Sequence, residues 1–192
     1  MELGLFAVFR IALFILTTIF LVVLSWRPLH NPRSHGFYRF FALEGILLLI
    51  LLNLPFWFKD PFSPLQLVSW TLLILSIPVG GQGIYLLRKL GRFGGSTSRE
   101  IGSENLPFED TVNLVTDGIY KYIRHPMYCS LLLLAWGAFF KHITTYGIFM
   151  VLISTAFLVA TAKMEERENI SYFGFSYEEY IKRSKMFIPY LF

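Results

Sequence analysis

From Leu3 to Leu24 the chain carries a single charged side chain, Arg10, in an otherwise almost wholly apolar run. A helix needs about 20 such residues to cross roughly 30 Å of hydrocarbon, where each backbone N–H and C=O must be satisfied within the segment. The run is too long for the apolar core of a signal peptide and lacks a small-residue cleavage site, so it reads as a retained span. Four further runs follow: about Phe40 to Phe58, Leu65 to Leu87, Pro126 to Phe140, and Tyr146 to Ala162. The last two are slightly short for a bilayer and are expected to form a tight hairpin partly shielded by the others. Composition agrees, because 16% of the 192 residues are charged where a soluble domain carries about a quarter. The fold expected is all-α, a multi-pass transmembrane helix bundle of about five spans forming one membrane-embedded domain over 1–192. Residues 1–87 supply three N-terminal spans, and 88–192 form the other half.

Basic residues set the expected orientation. Of the 17 Lys and Arg, only Arg10, Lys59 and Lys141 fall at or near one face; the rest occupy the first and third connections and the C-terminal tail. Five spans put all of those on the cytoplasmic side, whereas four or six would split them. Cys129 has no second cysteine to pair with, which excludes an intramolecular disulfide and a cysteine metal cluster. No metal site is expected. Pro78-Val79-Gly80-Gly81-Gln82-Gly83 interrupts the third span. It lacks the phosphate-binding fingerprint, and its glycines read as points of close helix contact beside a kink at Pro78. The third connection, 88–124, holds Gly91, Gly94, Gly95 and Gly102 and the piece Leu106-Pro107-Phe108-Glu109-Asp110. A connection so long is expected to close over something.

Chemistry concentrates in two places. The first is Asp117 to Tyr128, which ends a polar segment and opens into the fourth span. Pro126 suits the first position of a helix, and His125, preceding it, is pushed from the α region. The helix start, with unpaired N–H groups and Arg124 and His125 beside it, is a seat for a carboxylate or another anion. Tyr128 lies on the first turn. The second place is Lys163-Met164-Glu165-Glu166-Arg167-Glu168, where the last span leaves the bilayer. Adjacent carboxylates there are costly unless solvated or paired, and Lys163 and Arg167 lie a helical turn apart and are able to pair with them. The tail beyond, with Phe173-Gly174, Tyr177, Tyr180, Lys182, Arg183 and Lys185, reads as an amphipathic helix against the cytoplasmic face, carrying the acids towards 118–128.

Gly118-x-Tyr120-x-x-x-Arg124-His125-Pro126-x-Tyr128 resembles the signature of the integral-membrane methyltransferases, the isoprenylcysteine carboxyl methyltransferase and phospholipid methyltransferase group. Glu165-Glu166, then Phe173-Gly174-x-x-Tyr177-x-x-Tyr180 and a terminal Ile188-Pro189 are similar to the same group, as are Leu90-Gly91-Arg92 and Leu114-Val115-Thr116. The family often has Gly where this chain has Ser130, and Arg near where it has Lys163. The resemblance covers about 86–190. It implies S-adenosylmethionine as cofactor, held in the 88–192 half without a Rossmann domain, and transfer of a methyl group to a lipophilic acceptor such as a prenylcysteine or phospholipid. It further implies cofactor contacts from Tyr120, Arg124, His125, Pro126, Tyr128, Glu165 and Glu166. Catalytic roles fall to Glu166 and to Lys163 or Arg167, which would orient an anionic nucleophile. Such a site asks mostly for positioning and charge complementarity. Two other readings stand beside it: an NADPH-dependent membrane sterol-type reductase, and a non-catalytic scaffold whose basic face binds anionic lipids. No reading involves nucleic acid.

Overall fold

A computed structural model describes residues 2–91 and 111–189. Arg92, Gly94, Gly95, Gly102, the stretch 106–110 and the final residues 190–192 lie outside them. The described helices are α1 (Glu2–Leu24), the single turn α2 (Trp26–Leu29), α3 (His35–Asn53), α4 (Pro64–Leu90), α5 (Pro126–Phe139), α6 (Thr145–Phe173) and α7 (Phe175–Arg183). Four of them, α1, α3, α4 and α6, are long and apolar enough to cross a membrane, and α5 is a shorter apolar helix. The multi-pass helical bundle expected from the apolar runs is therefore what the chain forms. Successive long helices run in opposite directions. Residues 25–34, 111–125 and 163–189 consequently meet at one end of the bundle, and 54–63 and 140–144 at the other.

The entries into α3, α4 and α6 are each marked by a hydroxyl cap. Ser34 Oγ accepts from Phe37 N–H at 3.3 Å, Ser63 Oγ from Gln66 N–H at 3.4 Å, and Thr144 Oγ1 from Gly147 N–H at 3.0 Å. The core is built from Ala42, Ile46 and Leu49 of α3, Ala135, Ala138 and Phe139 of α5, and Val151, Leu158 and Ala162 of α6. Against this, α1 leans on α3 through Arg10 Nη1 to Leu51 O (3.3 Å) and Thr18 Oγ1 to Glu44 Oε2 (2.9 Å).

The glycines of α4 do what the sequence suggested: they admit α5. A Cβ at Gly83 would lie 3.0 Å from Pro126 Cγ, and one at Gly80 would lie 2.7 Å from Ser130 Oγ, while Gly81 faces open space. Ser130, where the family often has Gly, is accommodated because Gly80 opposes it. The helix itself is continuous through Pro78.

With 14 residues, α5 is about 21 Å long at 1.5 Å per residue, so its last carbonyls end inside the bundle and need partners. Neighbouring helices supply them. Ser69 Oγ–H donates to Gly137 O (2.7 Å), Asn53 Nδ2 to Ala138 O (2.8 Å) and Gln66 Nε2 to Lys141 O (3.2 Å). The Lys141 ammonium completes the cap, 3.0 Å from Gln66 Oε1 and 3.6 Å above the Trp70 ring. A cation there also complements the negative end of the helix dipole.

The α3–α6 contact is close enough to test. A Cβ on Gly45 would sit 2.2 Å from Ser154 Oγ, and that hydroxyl is buried without a hydrogen-bond partner in the described structure. Gly45→Ala is expected to lower stability by about 1–3 kcal/mol through overpacking. Ser154→Gly should remove most of that penalty in the double variant. Thermal melts in detergent check this, and an equal loss in both backgrounds would show that the contact is not the cause.

Candidate active site

At one end of the bundle the segment before α5 is held from three sides. It opens on Gly118 at φ 61°, where an added Cβ would also lie 2.6 Å from Leu86 Cδ1, so conformation and proximity both require glycine. The turn Gly118–Lys121 follows. Within it Tyr120 is buried, its hydroxyl donating to Gly83 O of α4 (3.3 Å) and its carbonyl accepting from the Tyr180 hydroxyl of α7 (2.6 Å). The backbone then pairs with the chain beyond α7. Arg124 N–H donates to Lys185 O (2.7 Å), His125 N–H to Met186 O (3.2 Å), and Lys185 N–H to Tyr122 O (3.0 Å). Pro126 is the first residue of α5, and His125 lies outside the helical region at φ −121°, ψ 63°, as a residue before proline should.

The acids arrive on a continuous rod. Helix α6 runs on to Phe173, about three turns past the expected end of its apolar stretch, because Lys163, Glu165, Glu166, Arg167 and Glu168 are all good helix formers. Glu165, Asn169 and Phe173 recur every four residues and share one face. That face lines a cleft together with Tyr120, Arg124, His125, Pro126, Tyr128, Tyr177 and Tyr180. Glu166 turns towards the same segment: its Oε1 accepts from Arg124 Nε at 2.7 Å and lies 3.3 Å from His125 Nε2. His125 Nδ1 stands 3.7 Å from Glu165 Oε2. The imidazole is thus bracketed by both carboxylates and stacked on Tyr128, with ring centres 5.5 Å apart. The Arg124 Nη1 group donates to Ile181 O at 3.3 Å and to Ser184 O, tying the end of α7 to the same knot.

Gly174, at φ 58° and ψ −136°, turns the chain from α6 into α7, in a region that glycine alone adopts without strain. The turn folds Tyr177 and Tyr180 back over the cleft, and both are buried. Burial pushes each phenol well above its ordinary value, with the charge of Glu165 adding to the rise at Tyr177. Both therefore stay protonated and able to donate.

Of the residues expected at the site, Tyr120, Arg124, His125, Pro126, Tyr128, Glu165 and Glu166 come together. Lys163 and Arg167 do not: both are exposed, and Arg167 Nη1 rests 3.5 Å from Met164 Sδ. Arg124, expected to receive an anion, is instead engaged by Glu166 and two carbonyls. Among the described residues no group of three or more His, Cys, Asp or Glu is arranged to hold a metal ion. Asn169 escaped the sequence reading, although its four-residue spacing from Glu165 was a usable signal.

A family model described as phospholipid methyltransferase matches residues 67–174. The chain belongs to this family. The matched stretch runs from α4 to the end of α6 and so includes the His125–Pro126 helix start and the acid pair. Methanethiol S-methyltransferase 1 of Bradyrhizobium diazoefficiens is 26% identical over 172 residues, 83% of this chain and 56% of that protein. Methanethiol S-methyltransferase 2 of the same organism is 34% identical over 74 residues, 38% of this chain and 28% of its own. Protein-S-isoprenylcysteine O-methyltransferase of Schizosaccharomyces pombe is 37% identical over 79 residues, 40% and 33% of the two chains. The chain thus spans between about a quarter and a little over half the length of these relatives. No solved structure matches it.

Proposed function

We propose that the chain transfers a methyl group from S-adenosylmethionine to a lipophilic acceptor at the cleft between α5, α6 and α7. The observation that carries this is the convergence on one cleft of the Glu165 carboxylate, the His125–Pro126 helix start and the buried rings of Tyr120, Tyr128 and Tyr177. These groups fit a cofactor that is cationic at one end and carries a carboxylate. Glu165 would face its sulfonium and ammonium, the first N–H groups of α5 its carboxylate, and the tyrosines its flat ring. When bound, the cofactor supplies an electrophilic methyl, and displacement from a sulfonium leaves no charge to be created at a leaving group. The work of the chain's own residues is orientation: Glu166 and Arg124 hold His125 in place, and Tyr177 and Tyr180 exclude water.

The family description and the name of the Schizosaccharomyces pombe relative support a prenylated cysteine carboxylate or a similar lipid as acceptor, and the names of the two Bradyrhizobium relatives support a thiol. A thiol is the second reading, favoured by a specific observation. The Arg124 guanidinium is already bonded to Glu166, and Lys163 and Arg167 stand outside the cleft. A neutral thiol asks for no such cation, and His125 is the imidazole at hand to take its proton. NADPH fits less well, because the cleft presents carboxylates to a polyanion.

Titration of the purified protein with S-adenosylmethionine and with NADPH tests the cofactor; saturation by NADPH alone would overturn the proposal. Turnover of farnesylcysteine should exceed that of a tail-less analogue at equal concentration and fall as the chain is shortened. Preferential turnover of a short free thiol would favour the second acceptor.

The cleft end is proposed to be cytoplasmic, on the confinement of basic residues. Asn31→Cys and Lys182→Cys, both at exposed positions, should be shielded from an impermeant external thiol reagent in a Cys129→Ser background, and Phe62→Cys, 86% exposed, should label. Labelling at Lys182→Cys from outside would reverse the orientation.

A further inference from the structure

Beyond its apolar stretch, α6 carries the acid pair on several turns that leave the core of the bundle, and those turns are gripped on two faces. On one, Glu166 meets Arg124 and His125. On the other, Glu168 reaches the first residue of α3. Its Oε1 accepts from the His35 backbone N–H at 3.0 Å, and its Oε2 lies 2.7 Å from His35 Nδ1. Both carboxylate oxygens are engaged by one residue, whose side chain is 1% exposed. Ser34 caps the same helix start, so the N–H that meets Glu168 belongs to a fixed turn with the positive end of its dipole towards the acid.

We infer that the His35–Glu168 clasp is a positioning device for the cleft, setting the rotation and height of Glu165 and Glu166 about the axis of α6. Neither His35 nor Glu168 lines the cleft, so neither is catalytic. The reasoning is geometric. Successive residues on a helix are about 100° apart, and Glu166 and Glu168 therefore point to opposite sides of the rod. One bond pair alone leaves the turns of α6 beyond the packed Ala162 free to twist and bend about that contact. Two on opposite sides do not. A twist of a fraction of a turn would take Glu165 out of the cleft and pull Glu166 from His125. The site thus draws on α3, outside the matched stretch 67–174, although no described α3 residue lines the cleft.

The inference rests on the proposed cofactor site, and one set of variants separates the two. S-adenosylmethionine affinity is measured in detergent, below the melting temperature of each protein, for wild type, Glu168→Ala, Glu168→Gln, Glu166→Gln and the double variant Glu166→Gln/Glu168→Ala. Glu168→Ala should weaken affinity about tenfold. Glu168→Gln should restore most of it, since an amide accepts from the His35 N–H and donates to a neutral Nδ1. In the Glu166→Gln background the loss on Glu168→Ala should shrink but not vanish, because one of the two positioned carboxylates is already altered while Glu165 is still displaced. If Glu168→Ala does not survive purification, His35→Ala, which keeps the backbone bond, carries the same comparison. A lowered melting point with unchanged affinity, or an equal loss in both backgrounds, would overturn the clasp and leave the cofactor site standing. Unchanged affinity in Glu166→Gln itself would remove both.

Discussion

Arg124→Ala should be the most damaging single substitution at the cleft end, lowering stability by about 1.5–3 kcal/mol, because it leaves the part-buried Glu166 carboxylate without its charged donor. The Arg124 and Glu166 side chains are 9% and 14% exposed, so water replaces the lost partner only in part. Two carbonyls, Ile181 O and Ser184 O, lose their donor in the same stroke. The damage should therefore spread to α7 and to the 185–186 pairing. Arg124→Lys keeps the charge but not the fork of donors, and should fall between. Glu166→Gln added to Arg124→Ala should cost little more, because the stranded carboxylate is then neutralised. The exposed pair Lys182–Glu179 (2.6 Å) provides a control, and Lys182→Ala should leave the melting temperature unchanged. A melt of Arg124→Ala within a degree or two of wild type would show that the pair is not what closes this end.

Cofactor affinity should respond to a different pair. His125→Ala and Glu166→Gln are each expected to weaken S-adenosylmethionine binding by about 1.5–3 kcal/mol, roughly tenfold to a little over a hundredfold. Glu166→Gln preserves shape and should stay folded, so its effect reports charge and hydrogen bonding rather than collapse. His125→Ala removes the ring that separates the two carboxylates and stacks on Tyr128, leaving like charges to face one another. Lys163→Ala and Arg167→Ala should leave affinity where it was, since both side chains are exposed and neither lines the cleft. Equilibrium titration on detergent-solubilised protein measures all four. Unchanged affinity in both His125→Ala and Glu166→Gln would remove the site.

Much of this was readable in the chain because membrane spans are written in continuous apolar runs, and because His-Pro announces a helix start whatever surrounds it. The roles of charged residues were less readable. Lys163 and Arg167 flank the acid pair in sequence, but on a helix the neighbours of Glu165 are one turn away, at Asn169, and not beside it. Whether Arg124 is engaged within the chain depends on the carbonyls of 181 and 184, some sixty positions on, and no local pattern encodes that. Nothing in the sequence sets Glu168 apart from the acids beside it. Only the packing of α3 against α6 brings His35 to it. The caps on α5 were hidden for the same reason: Asn53, Gln66 and Ser69 are unremarkable polar interruptions until the end of a short helix lies opposite them.

The shortness of α5 has a consequence for where the site stands. Its lower end sits among Trp57, Trp70 and Lys141, the side chains that settle at the edge of the hydrocarbon. The neighbouring α6 rises about 31 Å from Thr145 to Glu166, yet α5, at about 21 Å, brings His125 to within 3.3 Å of that same Glu166. Residues 140–144 make up the difference. The short helix is thus placed by what holds its two ends, and the side chains of α3 and α4 that cap its last carbonyls help to fix where the His125–Pro126 helix start stands.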